Sequence, residues 1–405
     1  MKSTSLFVVA PITAGTMLAV AAATLIAACA SNESTPLETP DATVMLTYED
    51  AGAADADGGE AACTSDDCEH FPEVCAPDAL CPSGPFHPDN PAAGMDWRTR
   101  VNVVRGRSAS DVWIAGSVGA VAHFDGASWT QSETGTQEAL RELWLPDAGE
   151  ITFRSLATVH ARGLGAADAG ADASGASVSP GGWSTRAVAP ANALGGQLGP
   201  VWAVPETDSL WVATGTRFWR LDLTGGTTFA SAQSIPSLVC GGRSCGNPRS
   251  MHGLSAENVS LWVVGELGMA MRVTDADGSS PTVTSLNTQT WDGLTGVWAA
   301  SDTDVWAVGG TGTIRHYTGD GIRWDVVSDV PASEHLNAVW GTSSSDVWAV
   351  GDAGVVLHYD GTRWSRVKVA GLGARRPDLY TVWSPGAGRV WIGGYGVVLT
   401  LGGKP

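Results

Sequence analysis

Positively charged residues are scarce in this chain of 405 residues. It has 23 Lys and Arg against 42 Asp and Glu, which gives a formal net charge of -19. A surface that binds nucleic-acid phosphates needs clustered Lys and Arg, so this balance argues against nucleic acid as a partner. Tyr and Phe are also few, at 5 and 7, whereas there are 18 Trp and 51 Gly. So many Trp beside so few other aromatic residues indicate a repeated motif that carries Trp.

Long apolar runs are absent after residue 28, but one precedes it. Leu6 to Ala28 carry no charge and follow Lys2 closely. A run of this length could span a membrane, yet its N-terminal position and Ala-rich end favour a signal peptide over residues 1–28. The tetrapeptide Ile26-Ala27-Ala28-Cys29 resembles a bacterial lipobox, which implies that Cys29 is lipidated and becomes the mature N-terminus. An ordinary secretory signal and an N-terminal anchor helix are the alternatives.

The residues after Cys29 indicate where the chain works and how it is held. By the same resemblance, Ala30 in place of Asp implies a lipid anchor in the outer membrane, facing the periplasm or the cell surface. Acyl chains contribute about 0.8 kcal/mol per buried CH2, so a multiply acylated Cys needs no membrane-spanning helix. Residues 30–97 hold 15 Asp or Glu and no Lys or Arg. Low hydrophobicity and repulsion between like charges predict a disordered acidic tether over residues 29–62.

The chain has 7 Cys, and six remain if Cys29 is lipidated. An even number in an exported chain favours disulfides. Four lie close together, and we expect two disulfides among them within a small cysteine-rich segment at residues 63–94: Cys63, Cys68, Cys75 and Cys81. The sequence leaves their pairing open. Cys240 and Cys245 are expected to close a small loop. A zinc site that includes His70 and His87 is the weaker alternative, because no CxxC pair is present.

One motif repeats along the rest of the chain. Residues 294–329 and 336–369 are nearly superposable, and each reads LxxVW, then DVWAVG, then an HY pair, then a run that begins with Trp. Alternating β-branched residues mark each run as a strand, and Gly or Asp marks each gap as a turn. Weaker copies begin at Val101, Leu140, Leu198, Met251 and Leu379. Four short strands repeated seven times, with a period of about 43 residues, predict an all-β fold, a seven-bladed β-propeller over residues 95–405.

Two irregularities in the repeats carry further predictions. The seventh copy stops after three strands, and Met95 to Arg100 contain an isolated Trp97 of the kind that begins a fourth strand. We therefore expect this N-terminal segment to complete the last blade and close the ring, which removes two open sheet edges. The second copy is interrupted by residues 163–182, rich in Ala, Gly, Asp and Ser. This insertion is predicted to be a disordered, solvated loop.

The repeats resemble the Asp-box repeats of bacterial neuraminidases and the related propellers of photosystem-assembly-factor type. They are also similar to bacterial lipoproteins with the pattern SxxDVWAVG...HYDGxxW. The Asp-Gly turns that carry this likeness lie at Asp125, Asp320 and Asp360, with the Trp four residues after each Asp. The class defines a fold and not an activity. A sialidase would need three Arg, a Tyr-Glu pair and an acidic proton donor, and only Tyr380 and Tyr395 stand outside the repeats and the tether.

Polar residues recur at one position of the third strand, and a His-based metal site is the functional interpretation to test: His123, His160, Arg220, Arg272, His316, His358 and Thr400. Strands lie about 4.8 Å apart, so these positions are roughly 15 Å from the ring axis and too far from one another to share an ion. We expect hydrogen bonds between blades or to turns instead. The DVW tryptophans are expected in the core. Asp111, Asp304 and Asp346 are expected to bond to the backbone of turns.

The sequence contains no GxSxG, HExxH or phosphate-binding loop, and we expect neither a metal nor a cofactor. Propellers bind partners through the loops of one face. The adjacent pair Arg375 and Arg376, with Glu334 and His335 one blade earlier, is the candidate contact patch. The chain is accordingly expected to be a non-enzymatic, membrane-anchored scaffold for an envelope protein or glycan. A secreted glycan hydrolase or lyase is the alternative, favoured if acidic and Arg side chains converge at the axis.

Overall fold

The computed structural model describes residues 69–87, 94–156, 158–164, 178–187, 198–205, 207–215, 217–224, 228–235, 246–255 and 258–401. These residues form seven four-stranded antiparallel sheets. The fold is all-β with seven blades, as the repeats predict. Among the described residues, no helix is long and apolar enough to cross a membrane. The predicted signal peptide, Cys29 and the tether lie outside the described residues.

Each sheet takes its strands in chain order, except the last. Blade 1 contains β2 (Val101–Ser108), β3 (Asp111–Gly116), β4 (Val121–Phe124) and β5 (Trp129–Gln131). Blade 2 contains β6 (Glu142–Trp144), β7 (Glu150–Phe153), β8 (Thr158–Arg162) and β9 (Ser184–Ala187). Blade 3 contains β10 (Leu198–Ala203), β11 (Ser209–Thr214), β12 (Arg217–Thr224) and β13 (Thr228–Ile235). Blade 4 contains β14 (Pro248–Ser255), β15 (Val259–Gly265), β16 (Met269–Thr274) and β17 (Thr282–Asn287).

The remaining blades carry the best copies of the repeat. Blade 5 contains β18 (Leu294–Ser301), β19 (Asp304–Gly309), β20 (Ile314–Tyr317) and β21 (Asp325–Val326). Blade 6 contains β22 (Leu336–Ser343), β23 (Asp346–Gly351), β24 (Val356–Tyr359) and β25 (Trp364–Arg366). Blade 7 contains β26 (Leu379–Gly386), β27 (Arg389–Gly394), β28 (Val397–Leu401) and, from the N-terminal side, β1 (Leu80–Pro82).

Two kinds of turn define the two faces of the ring. We call the face with the connections between blades and between second and third strands the front face, and the opposite one the back face. Short 3-10 turns join second to third strands at the front: Ser117–Gly119, Glu266–Gly268, Gly310–Gly312 and Asp352–Gly354. At the back, Asp125 Oδ1 accepts N–H bonds from Ala127 and Ser128 at 2.9 and 2.8 Å. Gly126 has φ +95°, which an L side chain rarely adopts, so the Asp-Gly pair fits this turn.

An N-terminal strand closes the ring, but the predicted segment is not the one that does so. β1 pairs antiparallel with β28, with Cys81 opposite Thr400, and forms the fourth strand of blade 7. Residues 95–100 instead make only isolated bridges, from Met95 to Phe86 and from Arg100 to Tyr395. Trp97 is 45% exposed and begins no strand. An outermost strand needs only one neighbour and a few buried side chains, so Leu-Cys-Pro meets the requirement without a Trp.

The Cys75–Cys81 disulfide lies directly beside the closing strand. Cys81 is fully buried, and Leu80 N–H donates to the carbonyl oxygen of Lys368 at 2.8 Å. The described part of the predicted cysteine-rich segment therefore contains one disulfide and also supplies a strand of the propeller. The other cysteines of the predicted pairs lie outside the described residues: Cys63, Cys68, Cys240 and Cys245.

Tryptophan pairs join neighbouring blades, and the DVW tryptophans are buried as expected: Trp113, Trp211, Trp262, Trp306, Trp348 and Trp391. At four junctions the second-strand Trp meets, edge to face, the Trp that precedes or begins the fourth strand of the next blade. These pairs are Trp113–Trp183, Trp262–Trp324, Trp306–Trp364 and Trp391–Trp129, with ring centroids 5.3 to 6.2 Å apart. Such contacts contribute about 0.5–1.5 kcal/mol each beyond the burial of their area.

The insertion predicted at residues 163–182 is described at its two ends only. Ser179 Oγ donates to the carbonyl oxygen of Glu133 at 2.6 Å, and Gly181 N–H reaches the same oxygen at 3.2 Å. Trp183 follows directly and is buried. The end of the insertion is thus attached to blade 1, and it leads straight into β9 of blade 2. Residues 165–177 lie outside the described residues.

Candidate functional site

The recurring third-strand residues occupy one equivalent position, as the alignment of repeats predicts. His123, His316 and His358 lie opposite Trp113, Trp306 and Trp348 in their own blades. Each His ring stacks on that Trp, with centroids 3.8 to 4.2 Å apart. Among the described residues, no group of three or more His, Cys, Asp or Glu could hold a metal ion.

The partners of these His side chains differ from the prediction. His123, His316 and His358 place Nε2 2.9, 2.7 and 2.7 Å from Oδ1 of Asp111, Asp304 and Asp346. Trp113 and Trp348 donate Nε1–H to the same oxygens at 2.9 Å. These aspartates therefore bind side chains of their own blade rather than turn backbone. The bonds between blades that we expected occur at Arg272, which pairs with Asp302 of blade 5 at 2.7 Å.

The Asp-Trp-His groups stabilise blades. Burial acts to raise the pKa of Asp346, but hydrogen bonds from Thr342, His358 and Trp348 outweigh it, so the pKa lies below its ordinary value. Asp111 shows the same balance, with Arg107 in place of Thr342. Each carboxylate is held ionised and fully engaged inside a blade. A carboxylate that is held ionised has no proton to donate, which separates it from a catalytic acid.

The predicted contact patch lies on the front face between blades 6 and 7. Glu334 lies 4.0 Å from the guanidinium of Arg366, and that of Arg376 lies 3.9 Å over the Phe71 ring. Arg375 donates to the carbonyl oxygens of Tyr395 and Gly396 at 3.3 Å.

His335 accepts a backbone bond from Asp352 N–H at 2.9 Å. The structure brings Glu334 and Arg376 together through Arg366 and Phe71. Because Arg375 and Arg376 also bind backbone carbonyls, part of their hydrogen-bonding capacity holds the patch itself in place.

A larger candidate site lies on the axis of the ring. The innermost strands of the blades surround a cavity of about 640 Å³. Asn102 and Asn337 each donate Nδ2–H to the next blade's backbone, to Leu140 O at 2.7 Å and Leu379 O at 2.9 Å. Thr295 Oγ1 bonds to Leu336 O in the same way. These bonds between inner strands fix the wall of the cavity.

Trp is the usual residue at the last position of the LxxVW motif in the inner strand, and two blades depart from it. Trp202, Trp298, Trp340 and Trp383 pair with the second-strand Trp of their own blades. In blades 1 and 4 the opposite residues are instead Arg105 and His252. Sequence reasoning missed both residues, although the signal was present, because VNVVR stands where other copies read LxxVW.

The neighbouring blade gives a physical reason for Arg105. Trp298 lies against Gly341 of the next blade, where a Cβ would come within 2.6 Å of the Trp ring. In blade 2 the residue that corresponds to Gly341 is Leu145, which follows the inner strand and lines the cavity. A Trp in blade 1 would need the space that Leu145 fills, whereas a flexible Arg does not.

Arg105 is the least exposed of the three Arg residues that line the cavity. Its guanidinium lies 5.3 Å from the Trp340 ring and donates Nη1–H to the carbonyl oxygen of Val104 at 2.8 Å. In the described part of the chain it forms no ion pair with a carboxylate, and its hydrogen bond to the protein goes to Val104 O. Desolvation lowers the pKa of Arg105, but an Arg stays charged at any physiological pH. The cavity therefore holds a positive charge without a partner of opposite sign in contact.

Glu142 of blade 2 and His252 of blade 4 are the other titratable groups in the interior. Burial raises the pKa of Glu142 to about 7, although Arg105 and Arg141 oppose the shift. Burial also lowers the pKa of His252 to about 3, helped by Arg105. His252 Nδ1 accepts the N–H of Ala299 at 3.3 Å, so its imidazole is neutral. Near neutral pH, Glu142 is poised between its charged and neutral forms.

The seven sheets around one axial cavity define the chain as a seven-bladed β-propeller. No protein-family model matches the sequence, and a comparison with curated proteins finds no match.

Solved structures share the fold. YCF48 bound to D1 peptide has a TM-score of 0.55 and 14% identity, covering 75% of this chain and 92% of that one. YCF48 from Cyanidioschyzon merolae has a TM-score of 0.57 and 16% identity, over 80% and 98% of the two chains. The WD40 propeller domain of Doa1 has a TM-score of 0.57 and 11% identity, over 80% and 96%. At these identities the likeness shows the propeller fold.

Proposed function

We propose that this chain is a lipid-anchored envelope propeller that binds a protein or glycan partner through its axial cavity and performs no chemistry on it. The observation that carries the proposal is the cavity of about 640 Å³ in which Arg105 has no ionic partner. A concave site with aromatic walls and a few unpartnered polar groups is typical of ligand binding. The rigid wall of inner strands holds these groups in fixed positions.

The structural neighbours support a binding role. One of them is YCF48 bound to D1 peptide, a propeller of similar architecture that engages a peptide. Seven-bladed rings present many loops and an axial opening on a rigid frame, and function resides in the site that each ring carries. The partner of this chain is inferred from its own cavity and not from that of YCF48.

A glycan hydrolase is the second candidate, and Glu142 is the observation that favours it. A buried carboxyl group with a pKa of about 7 could act as a general acid. Glycoside hydrolysis, however, needs two carboxyl groups about 5–9.5 Å apart on either side of the bond. The other carboxylates that line the cavity, Asp147 and Asp208, are exposed. Tyr380 reaches Asp378 at 3.4 Å, and Arg100 covers its ring, which does not form the Tyr-Glu pair of a sialidase.

A paired test of binding and turnover separates the two functions. The full chain is applied to an array of bacterial envelope glycans and to a library of envelope-protein peptides, and each bound probe is then incubated and examined for cleavage by mass spectrometry. We expect saturable binding without products, and loss of binding in Arg105→Met but not in Arg389→Met, whose side chain is exposed. Cleavage that disappears in Glu142→Gln would establish the hydrolase instead.

The membrane anchor rests on the residues around Cys29 and has its own experiment. In a diderm bacterium, we expect the mature chain to begin at Cys29 with an added acylated glycerol, and to fractionate with the outer membrane. Cys29→Ala should abolish the added mass and the sensitivity of processing to globomycin. An unmodified, soluble mature chain from the wild-type sequence would refute the anchor.

A further inference from the structure

We propose that the axial cavity binds a small hydroxylated organic acid, with Arg105 holding its carboxylate and Glu142 hydrogen-bonding a hydroxyl group beside it. This inference rests on the proposed function, because it names the ligand class of the same cavity. It concerns a ligand of roughly one or two sugar or amino-acid units, and not the surface of a folded partner.

The surroundings of Arg105 suit a carboxylate. The guanidinium packs near the Trp340 ring, and its hydrogen bond to a protein acceptor goes from Nη1 to Val104 O. Its remaining N–H groups have no acceptor among the described residues. A planar guanidinium presents two parallel N–H groups to a carboxylate, and the bonds strengthen where water is excluded. An anion at this position would supply the charge partner that Arg105 lacks.

The size and walls of the cavity limit the ligand. A volume of about 640 Å³ lies within the range of roughly 300–1,000 Å³ that is typical of small-molecule sites. Trp202, Val297 and Val339 supply apolar wall. The cavity thus fits a compact ligand or the tip of a longer chain.

Glu142 adds a hydrogen-bonding group and a charge that depends on pH. Its carboxyl group forms no hydrogen bond with any described residue, whereas its backbone carbonyl oxygen accepts one from Thr152 Oγ1. Around it, the charged groups are Arg105 from β2 and Arg141 on its own segment, while His252 across the cavity is neutral. The ionised Glu142 offsets part of the field of Arg105 and repels an anion. A protonated Glu142 does neither, so carboxylate binding and proton binding should reinforce each other.

The experiment uses D-glucuronate and D-glucose, which share a ring and its hydroxyl groups but differ in the carboxylate. Calorimetry on the full chain should give at least ~10-fold tighter binding of glucuronate. Arg105→Met should weaken glucuronate binding at least ~10-fold. Arg105→Lys should weaken it less, because Lys keeps the positive charge but lacks the two parallel N–H groups of the guanidinium. Arg389→Met is the matched control and should change nothing. Between pH 8 and pH 6 the affinity for glucuronate should rise, and the rise should vanish in Glu142→Gln.

Two outcomes would overturn the inference. One is equal affinity for glucuronate and glucose, or an absence of binding by glucuronate at both pH values. The other is an unchanged affinity in a folded Arg105→Met variant. Neither would by itself refute the proposed function, because a partner from the array could still lose its binding in Arg105→Met. If that partner also kept its affinity, the axial cavity would be excluded as the binding site.

Discussion

Replacing Asp346 with alanine should destabilise the chain more than replacing Asp304, although the two residues occupy equivalent positions in blades 6 and 5. Asp346 accepts side-chain hydrogen bonds from Thr342, Trp348 and His358. Asp304 accepts one, from His316, while the Nε1–H of Trp306 is buried without a partner. The first substitution therefore removes two more hydrogen bonds than the second.

The expected difference follows from that count. A hydrogen bond contributes about 0.5–1.5 kcal/mol net, so the two additional bonds give a difference of about 1–3 kcal/mol in the free energy of unfolding. Urea unfolding, followed by Trp fluorescence, measures it as a difference in midpoint at constant slope. Ala300 stands where blade 6 has Thr342, so Ala300→Thr is a matched gain variant. It should supply the missing hydroxyl donor to Asp304 and stabilise the chain.

Acid provides a second readout of the same bonds. The pKa of Asp346 lies below its ordinary value in the folded chain, since its hydrogen bonds outweigh the effect of burial. The stabilisation it gives is therefore complete above the unfolded pKa of about 4 and is lost as the pH falls through the lower folded value. The excess cost of Asp346→Ala should shrink in acid. Equal costs for the two alanine variants at pH 7, within ~0.5 kcal/mol, would refute this reasoning.

Three further predictions concern the cavity and the closing strand. Burial raises the pKa of Glu142 to about 7, so its contribution to stability is lost as the pH rises from the ordinary value of 4.5 through 7. The free energy of unfolding of Glu142→Gln, measured with urea, should therefore rise relative to that of the wild type between pH 5 and pH 8, by up to about 3 kcal/mol. If the difference between the two proteins were the same at both pH values, the burial of this carboxyl group would be contradicted. Cys75→Ser opens a loop with a sequence separation of 6 and should cost about 2 kcal/mol, with faster hydrogen exchange at Leu80; unchanged exchange there would show that β1 is held without the disulfide. A chain that begins at residue 94 lacks β1, leaves the edge of β28 unpaired and should associate in light scattering, whereas one that begins at residue 69 should stay monodisperse.

The repeats predict the blades well because each copy encodes its own turns and buried Trp. The closing strand was mistaken because Trp97 imitates the Trp that begins other fourth strands, while Leu80–Pro82 has no repeat signature. An outer strand with one neighbour is weakly constrained in sequence. The role of Asp111 was also mistaken, since its partners depend on cross-strand register: Trp113 lies two residues along the strand, and His123 lies opposite that Trp.

The axial site could have been found only in part. The sequence shows that Arg105 departs from the LxxVW pattern. Its place opposite Trp113 is known only once the inner strands are set in register with the second strands. Its distance from Glu142 along the chain gives no hint that the two share a cavity. The ring brings them together because the inner strands of adjacent blades lie side by side around one axial cavity. What they bind depends on the space between them, which sequence periodicity does not report.

Closure of blade 7 by β1 has a consequence for how the chain is made. Synthesis delivers Leu80–Pro82 before the other strands of the ring and its partner Val397–Leu401 after them, so nearly the whole propeller must emerge before the two strands can pair. Such a contact has high sequence separation and forms slowly, whereas each hairpin within a blade is local. Until then both edges of the nascent ring are open to other chains. A chain that ends before β28 therefore cannot form the pairing with β1 and cannot become a closed ring.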